Sequence, residues 1–127
     1  TLEAADYLEA ARQLMPLQRR RALIVIVTNT RDEDSDDLVT AVRLLSRRHL
    51  VVVADLREEI LDRCQAERVG DLDSALRFHG LQEYLESRAR HHDLLRHQGA
   101  VTMDLLAKQL PVALVNQYFT VKASGRL

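Results

Sequence analysis

The sequence predicts an α/β fold, a parallel sheet of about three strands with flanking helices, in a single domain over residues 1–127. Three observations predict it. Residues 22–27 (Ala-Leu-Ile-Val-Ile-Val) and 50–53 (Leu-Val-Val-Val) are apolar throughout, without the alternation of a one-sided sheet. Between them Leu38, Val39, Val42, Leu44 and Leu45 recur at helical spacing, which makes residues 19–56 a βαβ unit. A third short run, Ala100-Val101-Thr102-Met103, follows a long helical stretch. Strands alternating with helices imply right-handed parallel connections. Three strands are few for such a sheet. Either the chain is half of a larger domain, or a partner copy completes the sheet.

The elements follow in order. Leu2, Ala5, Leu8, Ala11 or Arg12, and Met15 recur at helical spacing in a first helix, which Pro16 ends. A basic lead-in, Arg19-Arg20-Arg21, enters the first strand, which stops at Thr28-Asn29-Thr30. The second helix opens with Asp32, Glu33, Asp34, Asp36 and Asp37, has Asp34 or Ser35 as N-cap, and closes with Arg43, Arg47 and Arg48. That charge order complements the helix dipole. Asp55 stands at the exit of the second strand, and a short polar helix spans residues 58–65. Residues 71–98 form a long helix with Leu72, Ala75, Leu76, Leu81, Tyr84, Leu85, Ala89, Leu94 and Leu95 inward and Gly80 as a potential kink. Gly99 stops it. Asp104 ends the third strand, and a last helix carries Pro111 near its middle and Leu114, Val115, Tyr118 and Phe119 inward.

Composition narrows the function. Apolar residues make up 46% and charged residues 29%, the balance of a globular chain rather than a disordered one. A net charge of −1 and five aromatic residues leave no field or stacking surface for nucleic acid. Cys64 is the single cysteine, so there is no internal disulfide and no cysteine metal cluster. No apolar run approaches the ~20 residues of a membrane span. The chain opens at Thr1, directly in a helical pattern, and reads as an excerpt of a longer protein.

Ligands of an open parallel sheet bind beyond the carboxyl ends of its strands. Here those ends carry Asn29, Asp55 and Asp104. Converging, they would hold Mg²⁺ through two carboxylates, an amide oxygen and water, and support metal-assisted hydrolysis. The competing reading is that Asp and Asn favour strand-to-helix corners because they cap and turn. The acidic cluster at 32–37 lacks the central Gly and distal Glu of a calcium loop. His91, His92 and His97 contain no i, i+4 pair for zinc. Neither a nucleophile elbow nor a glycine-rich phosphate loop is present.

The string RRRALIVIVTNT, an acidic helix and LLSRRHLVVVADL together resemble the fourth and fifth strands of a von Willebrand factor A-type domain. With QGAVTMD and the closing LVNQYFTVKASGRL, the chain is similar to the C-terminal half of such a domain in bacterial proteins encoded beside MoxR-type AAA+ ATPases. The resemblance implies a doubly wound, Rossmann-like sheet and a cytoplasmic domain of a protein anchored in the membrane upstream. It also implies a non-catalytic interaction or scaffold role with a MoxR-type ATPase in assembly or maturation of other proteins. In that family the sheet edge can hold a metal-ion-dependent adhesion site, with an Asp-x-Ser-x-Ser loop and an Asp after the fourth strand. The matching position here is Asn29, and the Asp-x-Ser-x-Ser element is missing from the chain. The resemblance therefore implies a degenerate metal site at Asn29 and no cofactor held by these residues. A further expectation is self-association, driven by an uncovered sheet edge.

Overall fold

Each of the three apolar runs forms a strand, and the strands lie parallel. The structure, a computed structural model, describes residues 6–29, 35–66 and 70–127. Its elements are α1 (Tyr7–Leu17), β1 (Leu23–Thr28), α2 (Ser35–Leu45), β2 (Leu50–Arg57), α3 (Glu59–Ala66), α4 (Leu72–His97), β3 (Val101–Leu106), a 3-10 turn (Ala107–Gln109) and α5 (Leu110–Ala123). The sheet order is β1-β2-β3. This is the expected parallel α/β arrangement flanked by helices. Asp32, Glu33 and Asp34, with the expected N-cap at Asp34, lie outside the described residues, as do Leu2, Ala5 and Thr30.

Sheet order decides burial. β2 is central, and Leu50, Val51, Val52, Val53, Ala54 and Asp55 are all buried. β1 differs from the expectation of burial on both faces: its residues are mostly half-buried, and Val27 is 46% exposed. An identical apolar pattern thus serves a central strand and an edge strand. Register places Ile24 beside Val51, and Ile26 beside Val53 and Thr102, on one face. Against that face pack Ala11 of α1, Leu38, Ala41, Val42 and Leu45 of α2, and Leu95 of α4. On the opposite face Gln117 and Val121 of α5 approach Leu23, Leu50, Val52 and Val101.

The helices depart from expectation where apolar residues surround the axis. α4 runs unbroken through Gly80, and its buried residues are Leu81, Arg88, His92 and Leu95. Leu72, Leu76, Tyr84 and Leu94, expected inward, are exposed, as is Ala89. In α5 Val115, Tyr118 and Phe119 are likewise exposed, and Val121 is the buried residue. Pro111 lies in the first turn of α5, where a missing N–H costs no intrahelical bond. Pro16 sits inside the last turn of α1, and the helix continues one residue to Leu17. No helix among the described residues is long and apolar enough to cross a membrane.

Candidate functional site

Parallel register carries the site. Thr28 pairs with Asp55, and Asp55 with Asp104, so the three side chains form one row across the sheet. Two strands run further than the apolar pattern suggested, β2 to Arg57 and β3 to Leu106. Asp55 and Asp104 therefore lie within strands, two residues before their ends, rather than at the exits. Asn29, one residue beyond the row, is exposed.

The row lies on the face covered by α1 and α4. Tyr7 Oη donates to Thr28 Oγ1 at 2.8 Å, which partners the hydroxyl of a residue that is only 6% exposed. α4 presents Arg88 and His92, one turn apart, to Asp55. His92 Nε2 lies 2.6 Å from Asp55 Oδ2, and Arg88 Nη1 lies 3.1 Å from the same oxygen. A carboxylate oxygen accepts in this pair when His92 Nε2 is the donor. Arg88 Nη2 also donates to the Asp55 carbonyl at 2.8 Å and to Asp104 Oδ1 at 2.9 Å. Asp55, Arg88 and His92 are all buried, with 1%, 7% and 6% exposure. A buried charge carries a large desolvation penalty unless paired and hydrogen-bonded, and here each donor meets that need.

A second arginine closes the outer side. Arg57 Nη1 donates to the carbonyl and to Oδ1 of Asp104, both at 3.0 Å. Its Nε and Nη2 donate to the two oxygens of Asp62 in α3, at 3.0 and 3.3 Å. Burial alone would raise the Asp104 carboxyl; the hydrogen bond and charge of Arg88, then those of Arg57, outweigh it and hold the group below its ordinary value. Burial would lower Arg88, yet the Asp104 hydrogen bond and the charges of Asp55 and Asp104 raise it. The Asp62 hydrogen bond, opposed by burial and aided by Asp104, raises Arg57. Carboxylates and guanidiniums alternate from Asp55 through Arg88, Asp104 and Arg57 to Asp62.

This donor set does not fit a divalent cation as arranged. Arg88 bridges Asp55 and Asp104, in the place where an ion shared by them would lie. Asn29 adds a neutral oxygen at most. Among the described residues no group of three His, Cys, Asp or Glu side chains is placed to hold a metal. Lattice-like alternation of fixed opposite charges orders side chains and joins α3, α4, β2 and β3 into one unit.

Sequence reasoning found Asp55 and Asp104 but missed Tyr7, Arg57, Arg88 and His92. One signal was available: Leu81, Arg88, His92 and Leu95 follow each other at intervals of seven, four and three, the spacing of one helical face. A polar pair inside such a stripe points to a polar partner beneath it.

The chain matches no family model, no curated protein and no solved structure. Its functional reading thus rests on the geometry above and on the sequence resemblance.

Proposed function

We propose that the chain is a non-catalytic protein-interaction module that acts with a MoxR-type AAA+ ATPase in the assembly or maturation of other proteins. The observation that carries an interaction role is on α5: Val112, Val115 and Phe119 are 67%, 53% and 64% exposed. Spaced three and four residues apart, they form one apolar stripe on a helix without a carboxylate. Clustered exposed apolar side chains mark contact sites. The charge row supports the same reading, because its carboxylates are engaged by arginine and His92. The ATPase as partner follows from the resemblance of RRRALIVIVTNT and LVNQYFTVKASGRL.

The test is capture of the ATPase by the intact parent protein with ATP, with ADP and without nucleotide. Binding that weakens at least about tenfold on joint Val115→Ser and Phe119→Ser substitution is expected. Absence of association in every nucleotide state overturns the proposal.

The register of Asp55 beside Asp104 favours one second reading, a metal-assisted hydrolase using these carboxylates with Asn29. It requires Arg88 to leave the space between them. Mg²⁺ or Mn²⁺ binding that is unchanged by Asp55→Asn and Asp104→Asn ends that reading.

A further inference from the structure

A net charge of −1 conceals a strongly basic end of the sheet. Because the strands are parallel, the residues that precede them meet at one end. Leu23 pairs with Leu50, and Val101 stands beside Val52, two residues further along. The connections from α1 to β1, from α2 to β2 and from α4 to β3 therefore gather here. Arg126 brings the chain beyond α5 to the same place, against Leu23, Leu50 and Gly99. Strands added beside β1 or β3 would widen this end in the plane of the sheet without covering it.

Cations dominate the end. Arg19, Arg20 and Arg21 precede β1, Arg47 and Arg48 precede β2, and Arg126 follows α5; all six are exposed. Among the described residues none of these six side chains makes a hydrogen bond or ion pair. Residues 10–29, 38–54, 94–103 and 105–127 contain no Asp or Glu. Asp93, one turn before the end of α4, is held by Arg96. Cations in a last helical turn offset the helix dipole, and Arg43, Arg96 and Lys122 occupy such positions. The six arginines lie beyond the helix termini, so the dipole does not account for them.

Shape selects the partner. The recess that Arg126 shares with Leu23, Leu50, Gly99 and Val101 measures about 10 Å³, room for a water molecule and not for a side chain. Cations on separate short connections, rather than around a cleft, match a flat array of anionic groups. Leu17, 82% exposed, stands on the same connection as Arg19 and supplies an apolar side chain to enter a headgroup layer. The three connections carry no Phe, Tyr or Trp for base stacking.

We infer that this end of the sheet rests on an anionic lipid surface, with the six arginines on headgroup phosphate and carboxylate oxygens. The inference is independent of the ATPase reading, which rests on the α5 stripe, and lipid binding and ATPase capture are read separately.

Cosedimentation with lipid vesicles tests it. The protein is expected to bind vesicles of equal phosphatidylcholine and phosphatidylserine, to ignore phosphatidylcholine alone, and to be released by raised salt. Joint Arg20→Glu and Arg48→Glu substitution is expected to weaken binding at least about tenfold. Arg77→Glu with Arg90→Glu makes the same charge change on exposed positions of α4 and is expected to weaken it less than about twofold. All four side chains are exposed, so circular dichroism is expected to show both variants folded. Absence of wild-type binding to the mixed vesicles overturns the inference, as does equal binding to phosphatidylcholine alone. A loss as large in the α4 pair as in the Arg20 and Arg48 pair also overturns it, because the attraction then belongs to the whole molecule. Retention on polyglutamate or single-stranded RNA without retention on the vesicles assigns these arginines to a different polyanion and refutes the lipid surface.

Discussion

Replacing Arg88 with Met tests whether the charge row supports the fold. Met keeps much of the aliphatic volume of Arg and removes the guanidinium. Four contacts are lost: the 3.1 Å pair with Asp55, the 2.8 Å bond to the Asp55 carbonyl, and the 2.9 and 3.5 Å bonds to the two oxygens of Asp104. They are unequal. The Asp104 side chain is 46% exposed, so water and salt limit its pair to about 0–1 kcal/mol. Asp55 is 1% exposed and keeps His92, but loses its permanently charged partner. Removing one member of a buried pair costs about 3–5 kcal/mol. Against the roughly 5–15 kcal/mol of a typical domain, that loss leaves a marginal protein. Urea unfolding followed by circular dichroism should show a large fall in midpoint with little change in slope. Arg88→Met combined with Asp55→Asn should cost less than the two separate losses together, with a coupling of about 1–3 kcal/mol. An Arg88→Met loss below about 1 kcal/mol, or additive losses, would show that the buried pair contributes little and refute the reasoning.

Asp104 has a lowered folded-state value, so it contributes stability that is complete above the ordinary carboxylate range near ~4 and disappears as pH falls through the lowered value. Asp104→Asn should flatten that acid limb and cost no more than about 1 kcal/mol at neutral pH, as read by urea midpoints against pH. Tyr7→Phe leaves the buried Thr28 hydroxyl without the Tyr7 donor and should cost about 1 kcal/mol, whereas Thr28→Val in that background should cost little more. Gly99 has φ +104°, and a Cβ there would stand 3.3 Å from Ser46 Cβ and Oγ. Gly99→Ala should therefore lower stability by about 1–3 kcal/mol, and Ser46→Gly in the same chain should recover only a part because the backbone strain persists; full recovery would assign the cost to contact alone.

How much was legible depended on how local the signal was. The βαβ unit was readable because α2 confines Leu38, Ala41, Val42 and Leu45 to one side, and the two runs around it are too apolar for solvent. Asp55 and Asp104 were readable as candidates because each breaks an apolar run. Their position inside the strands was not, since Leu56-Arg57 and Leu105-Leu106 continue the ladders without strand-like patterning. α4 misled because Leu72, Leu76 and Leu94 are apolar yet exposed, while Arg88 and His92 are polar yet buried. Hydrophobicity ranks residues by their own transfer energy and does not see the carboxylate waiting beneath a helix.

The sequence by itself determined the parallel α/β class, the order of helices and strands, and the charge asymmetry around β1, because each arises from short-range periodicity and from residues adjacent in the chain. Tertiary structure decided which apolar strand became central and which became the edge. It also decided that Tyr7, Thr28, Asp55, Arg88, His92 and Asp104 meet, though they span residues 7 to 104. The physical reason is that strand register and helix docking set those meetings. Both are fixed by packing across the whole sheet, while local pattern leaves an edge strand and a buried charge indistinguishable from their alternatives.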